Sequence, residues 1–154
     1  MSISPQEIRT FLADNPAAIV AELTAVRGSS PREAGTFMLV SSEAQTGTIG
    51  GGALEYMVID RARQVLRSSE HEDSLDIPLG PEIGQCCGGR VDVSLKRLTP
   101  AIAKALVARL EAELATRPHV YLFGSGHVGH ALARALSALP LRVHVVDTLS
   151  LIHI

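Results

Sequence analysis

Gly84-Gln85-Cys86-Cys87-Gly88-Gly89-Arg90 places both cysteines of the chain side by side, among three glycines and an arginine. Adjacent cysteines suit neither a zinc site nor a structural staple. Zinc spacing leaves about two to four residues between paired ligands, so that both sulfurs reach one metal. A bridge between neighbours closes almost no loop. What remains is a thiol pair on pliable backbone, ready to meet a ligand, or else two small buried residues in a turn, since free Cys is among the most buried residue types. Arg90 would stabilise a thiolate, and the glycines remove side chains that would block approach.

A second group of candidates is rich in glycine. Gly50, Gly51 and Gly52 stand just before a helical pattern, so their N–H groups would form an anion site at its N-terminus, or the triplet is a plain turn. Glu55 falls in the first turn of that helix, where an acid suits the dipole whatever else it does. Upstream, Arg27 to Gly35 reads as a turn-rich loop, RGSSPREAG, in which Arg32 is a phosphate-holding candidate or a solvated loop charge. Farther on, Gly124-Ser125-Gly126-His127-Val128-Gly129 follows an apolar strand, Val120–Phe123, and opens a helix from His130 to Leu139. The next strand, Leu141 to Val146, ends on Asp147. That is the context the dinucleotide fingerprint requires: Gly124 for the tight turn, Gly126 for close approach of a pyrophosphate, Gly129 for helix–strand packing, and Asp147 for a ribose hydroxyl. The same pattern also fits a βαβ unit with a glycine turn and no ligand. The six histidines are scattered, and none has metal-ligand partners at useful spacing.

The elements that must carry these groups are well punctuated. Ser4-Pro5-Gln6-Glu7 is a capping box with Pro at the first helical position, so a helix runs to about Asp14, where Asn15-Pro16 stops it. Strands are predicted over Ala18–Val26, Thr36–Val40, around Thr48-Ile49, over Leu75–Leu79 and over Val91–Leu98. Leu54, Met57, Val58, Ala62, Val65 and Leu66 fall at helical spacing. Thr99-Pro100 begins a long helix ending near Thr116. The fold class is therefore α/β: an N-terminal α/β domain over residues 1–117, then an incomplete Rossmann-like βαβ unit over 118–154. A doubly wound sheet needs more strands than remain after Asp147, so the chain reads as a fragment cut inside its second domain, with a closing LSLIHI that is either not native to it or a makeshift strand.

Composition narrows the partners. At 154 residues, 46% hydrophobic and 19% charged, the chain reads as globular. A net charge of -2 and only 3% aromatic residues give neither an electrostatic footprint for nucleic acid nor base-stacking platforms. No apolar run approaches membrane-spanning length, and the polar start, Met1 to Thr10, lacks the apolar core of a signal peptide. With two free-looking cysteines, this points to the reducing cytoplasm.

Four segments together resemble the xanthine dehydrogenase accessory proteins of the XdhC/CoxI type, which include the carbon monoxide dehydrogenase maturation factors. They are Val26-Arg27-Gly28-Ser29-Ser30-Pro31-Arg32 with Gly35; Gly47-Thr48-Ile49-Gly50-Gly51-Gly52 with Glu55; Leu79-Gly80-Pro81 through Gln85-Cys86-Cys87-Gly88-Gly89; and the GSGHVG turn. The resemblance implies a chaperone rather than an enzyme: a protein that binds molybdenum cofactor, protects it and helps insert its sulfurated form into a xanthine dehydrogenase-type apoenzyme. It also makes a homodimer, and a cysteine desulfurase as a further partner, reasonable expectations. On this reading Cys86 and Cys87 contact the molybdenum centre, since soft thiolates suit a sulfur-rich metal. Gln85, the glycine triplet, Arg32 and Arg90 hold the rest of the cofactor, and a nucleotide occupies the Gly124–Gly129 turn. The competing reading is an NAD(P)-dependent oxidoreductase built on that turn, which would leave the cysteine loop and the RGSSPR loop unexplained.

Overall fold

The structure is a computed structural model that describes residues 3–84 and 88–147. The first helix, α1 (Pro5–Asp14), begins at a reciprocal capping box: the Ser4 N–H donates to Glu7 Oε2 at 2.7 Å, and the Glu7 N–H to Ser4 Oγ at 3.2 Å. At its other end the Asn15 backbone and side-chain amides both donate to the Phe11 carbonyl. Five strands follow: β1 (Ile19–Arg27), β2 (Phe37–Val40), β3 (Gln45–Gly47), β4 (Glu72–Pro78) and β5 (Arg90–Arg97). They form one sheet in the order β3-β2-β1-β5-β4, with every neighbouring pair antiparallel.

Helix α2 (Gly52–Arg67) covers one face. Its Leu54, Val58, Ile59, Ala62 and Val65 pack into the same buried cluster as Ile19, Ala21 and Leu23 of β1, Met38 and Val40 of β2, and Val91, Val93 and Leu95 of β5. The strand residues recur at every second position, as one face of a sheet demands. The C-terminal carbonyls of α2 are collected by a single side chain. Arg97, at the end of β5, donates to the carbonyls of Val65 (2.7 Å), Leu66 (3.1 Å), Ser68 (2.6 Å) and Glu70 (2.7 Å). A cation there satisfies groups the helix cannot pair itself and complements its dipole.

Two strands differ from the sequence reading. The short strand expected around Thr48-Ile49 lies at Gln45–Gly47, because Gly47 takes φ 82° and ends the pairing. Ile49 instead turns inward and is fully buried. The strand expected over Leu75–Leu79 starts earlier, at Glu72, because β4 pairs with β5 along its whole length, from Glu72 opposite Lys96 to Pro78 opposite Arg90.

Contact density divides the chain into two compact units, Met1–Ala108 and Arg109–Ile154, and the long helix α3 (Pro100–Ala115) runs through the division. The second unit contains β6 (His119–Phe123), α4 (His127–Leu136) and β7 (Arg142–Val146). β6 and β7 pair in parallel, His119 opposite Arg142 and Phe123 opposite Val146, as a separate two-stranded sheet. α4 begins three residues earlier than His130, directly after Gly126. The molecule is thus a mixed α/β protein with an antiparallel main sheet and a small parallel one. Among the described residues, no helix is long and apolar enough to cross a membrane.

Arg97→Ala removes the guanidinium from four carbonyls at once. Chemical denaturation should show a loss of about 1–3 kcal/mol, the range for hydrogen bonds to a charged group. A variant as stable as the parent would show that water replaces Arg97 at no cost.

Candidate functional site

The antiparallel order decides where the loops fall. β1 ends, β2 begins, β3 ends, β4 ends and β5 begins at the same end of the sheet. The RGSSPR loop, the glycine triplet and the cysteine loop therefore all emerge there. They also touch. A Cβ on Gly28 would stand 3.3 Å from the Gly89 Cα, and one on Gly89 would run into the Ser29 carbonyl and come within 2.9 Å of the Arg27 carbonyl oxygen. On the other side, a Cβ on Gly50 would stand 2.7 Å from the Pro31 ring. The base of the cysteine loop is tied by two hydrogen bonds, Leu79 N–H to the Gly89 carbonyl (2.8 Å) and Gly88 N–H to the Leu79 carbonyl (2.7 Å). Gln85, Cys86 and Cys87 lie outside the described residues.

The two expected arginines stand in different electrical surroundings. Arg90 forks onto Asp76, Nε to Oδ1 at 2.5 Å and Nη2 to Oδ2 at 2.7 Å. Arg27, its cross-strand neighbour, donates to Asp92 at 2.7 Å and to Asp76 at 3.4 Å. The four side chains form an exposed network across β1, β5 and β4. The fork holds the Asp76 carboxyl below the usual carboxylate range and raises the Arg90 guanidinium further. Arg32 sits in the loop rather than on a strand and is half-buried. Among the described residues its guanidinium has no hydrogen-bond partner and no ion pair, and its backbone N–H donates to Ser30 Oγ at 3.4 Å.

The glycine triplet is a strained turn with its own anion. Gly50, Gly51 and Gly52 have φ of 139°, 76° and 63°, values that side-chain-bearing residues rarely take. Glu55 Oε2 accepts from Thr48 Oγ1 (2.5 Å), Ile49 N–H (3.3 Å) and Gly51 N–H (3.1 Å), while Gly50 N–H donates to Thr48 Oγ1 (3.3 Å). The sequence shows Glu55 only as a first-turn acid; the signal for its larger role is its place about one helical turn beyond three consecutive glycines.

In the second unit Gly124 has φ 104° and donates its N–H to the Val146 carbonyl at 2.8 Å. A Cβ on Gly129 would strike the Gly124 carbonyl, so this glycine is needed for the helix to close on the turn. Gly126 is different: its φ is -68°, and a Cβ there would meet nothing within 4 Å. Asp147 faces the turn, its Oδ2 accepting from the Ser125 N–H at 2.6 Å and from the Ser125 hydroxyl. Two open cavities flank the turn. One, of about 310 Å³, is lined by Leu122, Phe123 and residues of the turn, and the other, of about 530 Å³, by Ser125, Gly126, His127, His130 and Arg134. Among the described residues no group of three or more His, Cys, Asp or Glu could hold a metal ion.

The depressed Asp76 titration carries a sign. Its stabilising pairing is present above the ordinary carboxylate range and is lost as pH falls through the lowered folded value. Carboxyl carbon NMR of Asp76 should give a midpoint below that of a free aspartate, and Arg90→Ala should move it upward. An ordinary midpoint in the parent protein would mean that the exposed fork does not persist in water.

Comparison with known proteins bears on the same segments. Residues 11–76 match the XdhC and CoxI family. Over 131 residues, 83% of this chain, the protein is 26% identical to the uncharacterized protein YqeB of Escherichia coli (strain K12), of which it spans 21% of the length. The crystal structure of a xanthine dehydrogenase from Bacillus halodurans shares the fold, with a TM-score of 0.75 at 15% identity, covering 93% of this chain and 62% of that one. The likeness to that family covers residues 11–76, which carry both the RGSSPR loop and the glycine triplet.

Proposed function

We propose that the protein is an accessory factor that binds molybdenum cofactor and helps mature a xanthine dehydrogenase-type molybdenum hydroxylase. The observation that carries this reading is the meeting of three loops at one end of the main sheet beside Arg32, a half-buried residue whose guanidinium has no partner among the described residues. When bound, the cofactor supplies a sulfur-rich molybdenum centre and an anionic phosphate. The residues present suit such a ligand. Gly28 and Gly89 let the two loops close on each other, and Gly88 leaves open space beside them. Arg32 holds the phosphate by a charge-assisted hydrogen bond, a task for which Arg90, already forked on Asp76, is less available. Gln85, Cys86 and Cys87 complete the loop, and a thiolate from the cysteine pair meets the metal end. The role is custody and transfer in the cytoplasm rather than catalysis. The apoenzyme is the recipient, a cysteine desulfurase is the source of the sulfido group, and a homodimer is the working state.

A nucleotide at the Gly124–Gly129 turn is a second proposed ligand, favoured by Gly126. The chain's own packing and backbone angles do not demand glycine there, so the space is left for something else. Saturation-transfer NMR with NAD⁺ and ATP tests it, and no transfer from either would remove the nucleotide.

Cofactor released from a donor enzyme, titrated against the parent protein and then presented to apoenzyme, tests the main reading. The Cys86→Ala, Cys87→Ala double variant should keep the parent's circular dichroism and lose delivery. Delivery at the parent rate would reduce the cysteines to packing and leave the arginine and glycine loops to explain the function.

A further inference from the structure

A negatively charged side chain beside a proposed anion site needs an explanation. Glu55 lies one turn into α2, and its Oε2 gathers three donors from the segment before the helix: the Thr48 hydroxyl and the N–H groups of Ile49 and Gly51. An acid placed only for the helix dipole would act equally well pointing to solvent. Here one oxygen is instead the focus of a turn of consecutive positive-φ glycines. Such concave arrays of N–H groups are anion receptors. In this protein the receptor already holds an anion, and the anion is part of the chain.

The consequence reaches Arg32. The turn that Glu55 closes includes Gly50, whose missing side chain is what admits the Pro31 ring; a Cβ there would lie 2.7 Å from Pro31 Cγ. Pro31 immediately precedes Arg32 in the chain. The route from carboxylate to guanidinium thus runs through one hydrogen-bonded turn, one close packing contact and one peptide bond. We infer that Glu55 is the positioning residue of the anion site: its carboxylate serves as a built-in anion that closes the Thr48–Gly51 turn and, through Gly50 and Pro31, sets where Arg32 stands. It also keeps the glycine turn from competing for the ligand's phosphate, so that an incoming anion is directed to Arg32. The inference rests on the proposed role of Arg32 as the anion-holding residue.

Inorganic phosphate is the probe, and the Arg32 Nε–H signal in nitrogen-15 NMR is the readout. In the parent protein that signal should shift saturably. Glu55→Ala should weaken the response by about tenfold, the loss expected when one charge-assisted hydrogen bond is misaligned. Millimolar acetate should restore it by refilling the vacated turn. Acetate has the opposite effect on the parent, where it can only compete at Arg32, so a gain confined to the variant is not a general salt effect. Glu55→Gln, which retains an acceptor oxygen of the same reach but not the charge, should bind more weakly than the parent and more tightly than Glu55→Ala. Should Glu55→Ala not fold, Glu55→Asp keeps the charge one methylene short and should show the same weakening. If Arg32 responds in the parent and responds unchanged in the Ala or Asp variant, the positioning role is overturned. If Arg32 does not respond in the parent at all, the anion role of Arg32 falls, and the inference with it.

Discussion

The backbone of Gly89 lies against the Ser29 carbonyl with no room for a side chain between them, and the arrangement of the first unit's loops depends on that contact. It is available because β1 and β5 are paired to their ends, Arg27 opposite Arg90, so the two chains leave the sheet side by side. The ladder in turn is held by the apolar face beneath α2. Once the strands are fixed, the charges at their ends are largely committed. Arg27, Asp76, Arg90 and Asp92 sit on adjacent strands and neutralise one another. A cation able to serve a ligand must then come from a loop, and Arg32 is such a residue. The division follows from geometry: strand-borne arginines hold the sheet's charge balance, and the loop-borne one stands outside that network.

Much of this could be read from the residues alone, where the cause is local. The Ser4–Glu7 box is a short-range hydrogen-bond pattern, and α1 begins where that box places it and ends before Asn15-Pro16. The apolar spacing from Leu54 to Val65 is a helical period, and Leu54, Val58, Ala62 and Val65 are buried in the main core while Met57 is exposed. β3 stops short of Thr48 and Ile49 despite their strand-like side chains, because the positive φ at Gly47 and the pull of the core on Ile49 outweigh that preference. β4 is longer than its apolar residues suggest, because an edge strand pairs through its backbone and can expose Glu72 and Ser74.

The site was less legible for a different reason. Its loops are announced by glycine and proline, which are local signals. Its electrostatics are not, since Asp76 and Asp92 reach Arg90 and Arg27 only through the sheet register. No spacing rule separates the paired Arg90 from Arg32, and both were equal candidates until the strands were aligned. Glu55 was similarly hidden, because its three donors come from a segment that folds back over the helix start.

The two glycine turns of the protein solve one problem in two ways. Each joins a strand to a helix, each leaves backbone N–H groups converging at the helix start, and each supplies a carboxylate from the chain to meet them. In the first unit the acid stands on the helix itself, four residues past Gly51, and takes two N–H groups and a hydroxyl. That arrangement is closed within a dozen residues and moves with the helix. In the second unit the acid comes from the end of β7, 22 residues beyond Ser125, and takes one N–H group and a hydroxyl. Its hold depends on the parallel pairing of β6 with β7, and beside it Gly126 leaves a space that the chain does not use. A carboxylate carried by the helix makes a turn rigid and self-contained, suited to orienting a neighbour such as Arg32. A carboxylate lent by another strand leaves the turn able to exchange its internal partner for a hydroxyl of a ligand. The same local chemistry is thus built in two ways, and the difference lies in which element carries the acid.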